Sequence, residues 1–388
     1  MFFFDRAFRS FFLGGSIFAV VSMLVWWLSF SSVGIEWVSF KFSGIPALYW
    51  HAHEMVFGYA LATVTGFLLT AVMNWTGKHS ASGYKLLLIF VLWVMARIGY
   101  LVNAPVEFIA VVDIGFTIGL FLHFAIPVLK TKLWEQAALA FKFFLLIIAN
   151  GVYYAGAFGW IQNGFDLGVT AGLFFVLAIN MTMIRRLIPF FTEKALKIPE
   201  HNNPKWVDIA SLVGLLSLAI AATFFPLHWL TAAIAFPLAA LHAMRFTNWY
   251  YSKIWSVVLL WPLYISYFFM ALGIALYGFV GLGLLAESIA IHALAAGGVG
   301  LLCSSMMARI ALGHTHRNVF EPPKLVTLVF IVLTVTAVTR VILPILIPSQ
   351  YLLWIQLSQW GWASSFLLLS ILYWKILTGP SQKNPMTL

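Results

Sequence analysis

Residues 49–73 read YWHAHEMVFGYALATVTGFLLTAVM, and from Met55 to Gly77 no charged residue interrupts them. An apolar run of that length crosses about 30 Å of hydrocarbon as one α-helix. Its counterparts recur along the chain, near 8–30, 84–102, 107–129, 136–158, 165–190, 207–225, 227–246, 255–280, 284–312, 323–347 and 351–377. The expected fold is therefore an all-α integral membrane protein, a bundle of about 12 transmembrane helices forming one polytopic domain over 1–388. Composition agrees: 62% of the 388 residues are hydrophobic and 9% charged, far from the quarter-charged make-up of soluble domains. Two boundaries are weak, at Phe224-Phe225-Pro226 and at Pro348-Ser349-Gln350, where a broken or re-entrant helix is the competing reading.

The net charge of +10 would point to nucleic acid in a soluble protein, but here topology accounts for it, and no nucleic-acid partner is expected. With the N-terminus inside, all of the 22 Lys and Arg except Lys41, Arg97 and Arg340 fall on the cytoplasmic side, as the positive-inside bias requires. Both termini are thus expected in the cytoplasm, with the lipid bilayer as surroundings. The opening MFFFDRAFRSFFLGG has arginines ahead of an apolar stretch like a signal sequence, but no small-residue cleavage site closes it, so it is expected to remain as the first span. Cys303 is the one cysteine, which excludes an internal disulfide and leaves His, Met and carboxylates as metal donors.

The ten histidines sort by depth. His79, His201 and His316 sit in cytoplasmic loops, His123, His242 and His314 near cytoplasmic helix ends, and His51, His53, His228 and His292 in the outer half. Polar groups at membrane depth face a bundle interior or cavity. In Trp50-His51-Ala52-His53-Glu54-Met55 the two imidazoles diverge by about 200° on an unbroken helix, so they do not chelate one ion together. Glu54 falls on the His51 side and is expected to orient that ring. The order and spacing do not fit the zinc-protease pattern H-E-x-x-H.

His292 opens a second constellation, with Ala293, Gly297, Gly300, Ser304 and Ala308 as a small-residue stripe suited to a cofactor or to close helix packing. The second and tenth spans run in the same direction, so His292 is expected at the depth of His51 and His53, and two imidazoles from different helices make an axial pair for a b-type haem. Arg97, Asp113, Glu287 and Arg340 are charges at the same depth. Arg97 needs an anionic partner, and either haem propionates or Asp113 and Glu54 would serve. Cys303 and Met307 lie within about 60° of the His292 face as soft copper donors, or as core filler. His314 is about 33 Å of helix from His292 and belongs to a separate site. Arg185 and Arg186 suit an anion, a lipid headgroup, or interface anchoring.

The blocks HAHEMVFGYALATVTGFLLTAVMNWTG at 51–77, RRLIPFFT at 185–192 and HALAAGGVGLLCSSMMARIALGHTHR at 292–317 resemble the signature blocks of the NnrS family, over almost the whole chain and in order. The resemblance implies a polytopic protein of the bacterial inner membrane that holds haem and copper, associated with denitrification and nitric oxide resistance. On matching positions it implies cofactor or metal roles for His51, His53, His292 and His314, with Arg309 beside the cofactor and Glu54 supporting, while Arg97, Asp113 and Arg340 are candidates from their charge at that depth. Where many relatives carry a histidine in a Leu-His block of the ninth span, this sequence reads Leu260-Trp261-Pro262-Leu263-Tyr264-Ile265, so Tyr264 would replace a ligand there. The function expected is haem-dependent binding or detoxification of nitric oxide, with reductase-like turnover open and no electron donor recognisable. The alternatives are a membrane transporter of a metal or small solute and an assembly factor for a respiratory complex.

Overall fold

A bilayer leaves backbone N–H and C=O groups no water to bond, so apolar segments satisfy them internally as helices. The computed structural model describes residues 2–31, 41–199 and 204–382. Among them are twelve helices long and apolar enough to cross a membrane: Ala7–Phe30, Ala47–Thr76, Tyr84–Leu101, Val106–Thr131, Trp134–Ala157, Gly164–Leu196, Lys205–Phe224, Trp229–Trp249, Trp261–Gly281, Glu287–His314, Val326–Leu346 and Pro348–Thr378. They are called spans 1 to 12 below. The protein is a polytopic all-α membrane protein, and the loop histidine His201 lies outside the described residues.

The weak boundaries are helix breaks between separate spans. Span 7 stops at Phe224, and span 8 begins after His228, whose ring Nδ1 accepts the Leu230 N–H at 3.2 Å as an N-cap. His228 therefore has a local capping role. Span 9 starts at Trp261 rather than 255, because Pro262 sits in its first turn, where a missing N–H costs nothing. A short antiparallel pair, Lys41–Phe42 with Ile45–Pro46, leads into span 2, and the Ser43 N–H is held by Asn103 Oδ1 at 2.8 Å.

Among the described residues, two spans contain π-helical turns. Span 2 is α-helical through His53, π-helical over Glu54–Ala60 and α-helical again from Leu61. Span 10 repeats the arrangement, α-helical over Glu287–His292, π-helical over Ala293–Gly300 and α-helical from Leu301. In both, the wider turn begins directly after a histidine. These are also the most buried spans, with 89% and 78% of their apolar windows enclosed, so they are core helices while their neighbours face lipid on one side.

The chain forms two compact units. The first comprises Met1–Val176, Met307–Asn318 and Phe366–Leu388, the second Leu177–Met306 and Val319–Ser365. In the first, spans 1 and 4 pack on span 2, and spans 3 and 5 pack on span 4. In the second, span 9 packs on span 8 and on the π-helical turn of span 10, and span 11 packs on the same turn.

Candidate functional site

In the first unit spans 2 to 5 bring four ionisable side chains together out of reach of solvent. Arg97 on span 3 pairs with Asp113 on span 4, and its Nε lies 2.9 Å from Glu54 Oε2 on span 2. His53 Nδ1 donates to Glu54 Oε1 at 2.9 Å. His53 Nε2 donates to Asn150 Oδ1 on span 5 at 3.0 Å and lies 3.3 Å from Asp113 Oδ2. Asn150 is oriented by its own amide, whose Nδ2 donates to Asp113 Oδ2 at 2.9 Å. Tyr154 donates to the same carboxylate at 3.2 Å, and Tyr100 donates to the Tyr154 hydroxyl at 3.0 Å. His53, Glu54 and Asp113 are fully buried.

The proton positions follow from the partners. An ionised carboxylate and an amide oxygen only accept, so with Glu54 ionised both ring nitrogens of His53 donate, the pattern of an imidazolium. Two cations and two carboxylates then sum to zero, the condition under which charges persist at membrane depth. The ring is clamped by Tyr153, stacked with centroids 4.2 Å apart, and by Phe57 at 5.0 Å. In this arrangement His53 presents no lone pair to a metal. Glu54 faces His53 rather than His51, because Arg97 and His53 draw it to the opposite side. Arg97 has two carboxylates of its own chain, which selects the protein partners among those the sequence left open.

His51 is buried and lies flat on Trp26, with ring centroids 4.5 Å apart and planes 11° from parallel. His314 accepts from Arg6 Nη1 at its Nδ1, 3.4 Å away, and rests on Phe8. The same end of the unit holds Arg9, which donates to the Leu377 and Gly379 carbonyls at 3.0 and 2.7 Å. Arg309 is buried in this unit as well.

In the second unit His292 is partly buried at the end of the α-helical start of span 10, and its Nδ1 donates to the Ser288 carbonyl at 2.6 Å. The small-residue stripe after it is spent on packing. A Cβ at Gly297 would lie 2.5 Å from Phe269, and one at Gly300 2.6 Å from Trp362. The π turn over 293–300 also removes the unbroken α-helix on which the placing of Cys303 and Met307 near the His292 face depended. Tyr264 donates to the Trp249 carbonyl at 2.6 Å and shares a hydrogen bond with Thr192 at 2.8 Å, which ties span 9 to its neighbours. Arg185 and Arg245 grip Asp208 at 2.8 and 2.7 Å, so part of the RRLIPFFT block is engaged within the protein. Arg340 is nine-tenths buried in span 11.

Asn150, Tyr100 and Tyr154 escaped the sequence reading. The signal was present for Asn150, an amide in the middle of the apolar run FKFFLLIIANGVYYAG, which at that depth needs polar partners.

The family described as NnrS protein matches residues 2–381, essentially the whole chain. The chain belongs to the NnrS family. Membership ties it to the nitric oxide response. No curated protein matches it. Its HAHEM and HALAAGG blocks, read as NnrS signatures, are the two places where a buried span passes from α to π geometry, a departure that recurs at functional sites.

Among the described residues no three His, Cys, Asp or Glu side chains come together to hold a metal. A haem needs less from the protein, one or two axial donors in an apolar setting, and His292 and His51 have that character.

Proposed function

We propose that this NnrS-family chain is a haem protein of the bacterial inner membrane, with both termini in the cytoplasm, that binds nitric oxide and protects against nitrosative stress. One observation carries the proposal: the Nδ1–H of His292 is committed to the Ser288 carbonyl at 2.6 Å. A carbonyl only accepts, so in the neutral ring the lone pair belongs to Nε2, the arrangement by which proteins orient a ligating imidazole. Haem, when bound, supplies iron that takes a small diatomic ligand at an open or exchangeable position. The chain's own contribution is to fix the tautomer and direction of His292, to hold His51 against Trp26 as the corresponding donor of the first unit, and to keep the surroundings apolar. His53 serves in the charge quartet rather than as a ligand. Nitric oxide is uncharged and reaches such a site through the bilayer.

The test is an optical spectrum of detergent-purified protein, oxidised, reduced, and reduced with nitric oxide, with metals quantified on the same sample. The expected result is a set of b-type bands that shift with nitric oxide, and loss of most haem in His292→Ala while the protein stays folded and inserted. A colourless wild type would sink the proposal, and full haem retention in His292→Ala would remove that residue as a ligand.

The quartet itself favours a second reading, transport. A buried imidazolium balanced by Arg97 and two carboxylates is a place where a proton is taken up and released, as in proton-coupled carriers. Proteoliposomes that move a solute or metal with protons, and lose that coupling in His53→Gln, would favour it over nitric oxide binding.

A further inference from the structure

Three spans of the first unit end together on a cluster of arginines. Span 1 starts at Ala7, span 10 stops at His314 and span 12 stops at Thr378. Arg9, 4% exposed, ties the last to the first: its Nη1 donates to the carbonyls of Leu377 and Gly379 at 3.0 and 2.7 Å, and its Nη2 to Ser381 Oγ at 3.0 Å. The Gln382 N–H donates to the Thr315 carbonyl at 3.0 Å, which fastens the same C-terminal segment to the end of span 10. There His316 takes a left-handed φ of 58°, and the Arg317 N–H returns to the Leu312 carbonyl at 2.9 Å. The chain thus turns back on the helix end and keeps Arg317 at the cluster. Arg6 joins it with Nη1 3.4 Å from His314 Nδ1.

Charge is unbalanced at this point. Arg6 and Arg317 lie within electrostatic reach of Arg9, and among the described residues Asp5 is the one carboxylate that does. Carbonyls and a hydroxyl satisfy the Arg9 donors without neutralising its charge, so three guanidinium groups face one carboxylate. Arg317 Nη1 is screened from solvent and, among the described residues, has no hydrogen-bond partner. A narrow, mostly apolar cleft adjoins the cluster, lined by Phe12, Met307, Ala308, Leu369, Tyr373 and Leu377. Leu377 belongs to both, since its carbonyl holds Arg9, and Phe12 lies one turn along span 1 from Arg9. From Leu377 to Leu369 the cleft follows span 12 for about 12 Å. In it Tyr373, 2% exposed, has a hydroxyl without a partner, about 8 Å below the end of the span.

We propose that this end of the first unit binds an anionic phospholipid. Arg317 and Arg6 hold its phosphate, because a guanidinium offers two parallel donors matched to phosphate oxygens. One acyl chain lies in the cleft, where an ester carbonyl accepts from the Tyr373 hydroxyl. The three span ends mark the edge of the hydrocarbon, which is where a headgroup phosphate sits. The excess of positive charge selects an anionic headgroup over a zwitterionic one. A free phosphate would answer the arginines but leave the cleft and its phenol empty, so the lipid is the occupant that both observations favour. A haem-free protein has the same site.

The experiment uses full-length protein, delipidated in detergent, with phosphatidylglycerol, phosphatidylcholine or sodium phosphate added separately. Native mass spectrometry counts the retained lipid, and thermal unfolding reports binding to the folded state as a raised midpoint. Wild type is expected to retain phosphatidylglycerol several-fold more strongly than phosphatidylcholine, and its midpoint to rise by a few degrees. Arg317→Gln and Arg6→Gln are expected to lose most of that preference, and Tyr373→Phe to weaken retention several-fold. Lys130→Gln, which removes an exposed charge from the last turn of span 4, is expected to change neither readout. Equal retention of the two lipids by wild type overturns the proposal, as does a preference that survives both arginine substitutions, the behaviour of lipid that merely surrounds the protein. Sodium phosphate that reproduces the whole rise, against sodium chloride at equal ionic strength, overturns it in favour of a free-phosphate site. Should Arg317→Gln fail to fold, the exposed Arg6 carries the test alone.

Discussion

At the scale of single residues, His53 shows how a partner changes what a side chain is for. The sequence offers it as a ligand beside His51, but its two nitrogens meet Glu54 on one side and Asn150 with Asp113 on the other. Removing one member of a buried ionic set leaves the others uncompensated, at a cost of about 3–5 kcal/mol. His53→Ala is therefore expected to lower the unfolding midpoint and the yield of folded protein while leaving haem per folded molecule unchanged. Proportional loss of haem in the folded fraction would return His53 to the ligands. Arg97→Lys is expected to fall short of wild-type stability, since an ammonium does not hold two carboxylates through a planar fork. The depth of these residues was legible in the sequence. Their pairing was not, because it depends on how spans 2 to 5 are rotated, and apolar periodicity says little about rotation when nearly every residue is apolar.

At the scale of elements, the π turns matter most. Each places one extra residue in a turn directly after His53 or His292, and so resets the faces of everything that follows. Angular arguments from an ideal α-helix held for the short run from His51 to His53, which is α-helical, and failed from His292 toward Cys303. Deleting Ala295 is expected to restore a continuous α-helix in span 10. The protein should then still insert but lose haem, because the residues after the deletion turn away from the His292 layer. Normal haem content in that deletion would assign the π turn to packing alone. Gly297→Leu tests packing separately: it drives a side chain into Phe269 and is expected to destabilise the fold by about 1–3 kcal/mol, as overpacking does, read as a lower unfolding midpoint.

At the scale of the whole molecule, the distribution of Lys and Arg predicts an N-in, C-in arrangement. Cys303 is 3% exposed, so the native thiol gives a low background for impermeant labelling. His79→Cys, between spans 2 and 3, is expected to label only after the cytoplasmic face is opened. Trp160→Cys, between spans 5 and 6 and 77% exposed in wild type, is expected to label from outside in intact spheroplasts. The reverse pattern would invert the topology and move every depth given to a histidine.

The sequence by itself determined the solvent, the secondary structure and the span number, because crossing hydrocarbon forces helices of a set length and leaves no other way to satisfy the backbone. It also marked the family and the polar residues at membrane depth, since these stand out against an apolar background. Only the tertiary structure decided which of them meet. It gave Arg97 to Asp113 and Glu54, closed His53 into a neutral quartet through Asn150, and committed one nitrogen of His292 to Ser288. It left Nη1 of the buried Arg340 without a hydrogen-bond partner. Those outcomes turn on helix rotation, register and two π turns, which arise from the packing of neighbours distant in sequence and leave no periodic trace in any one span.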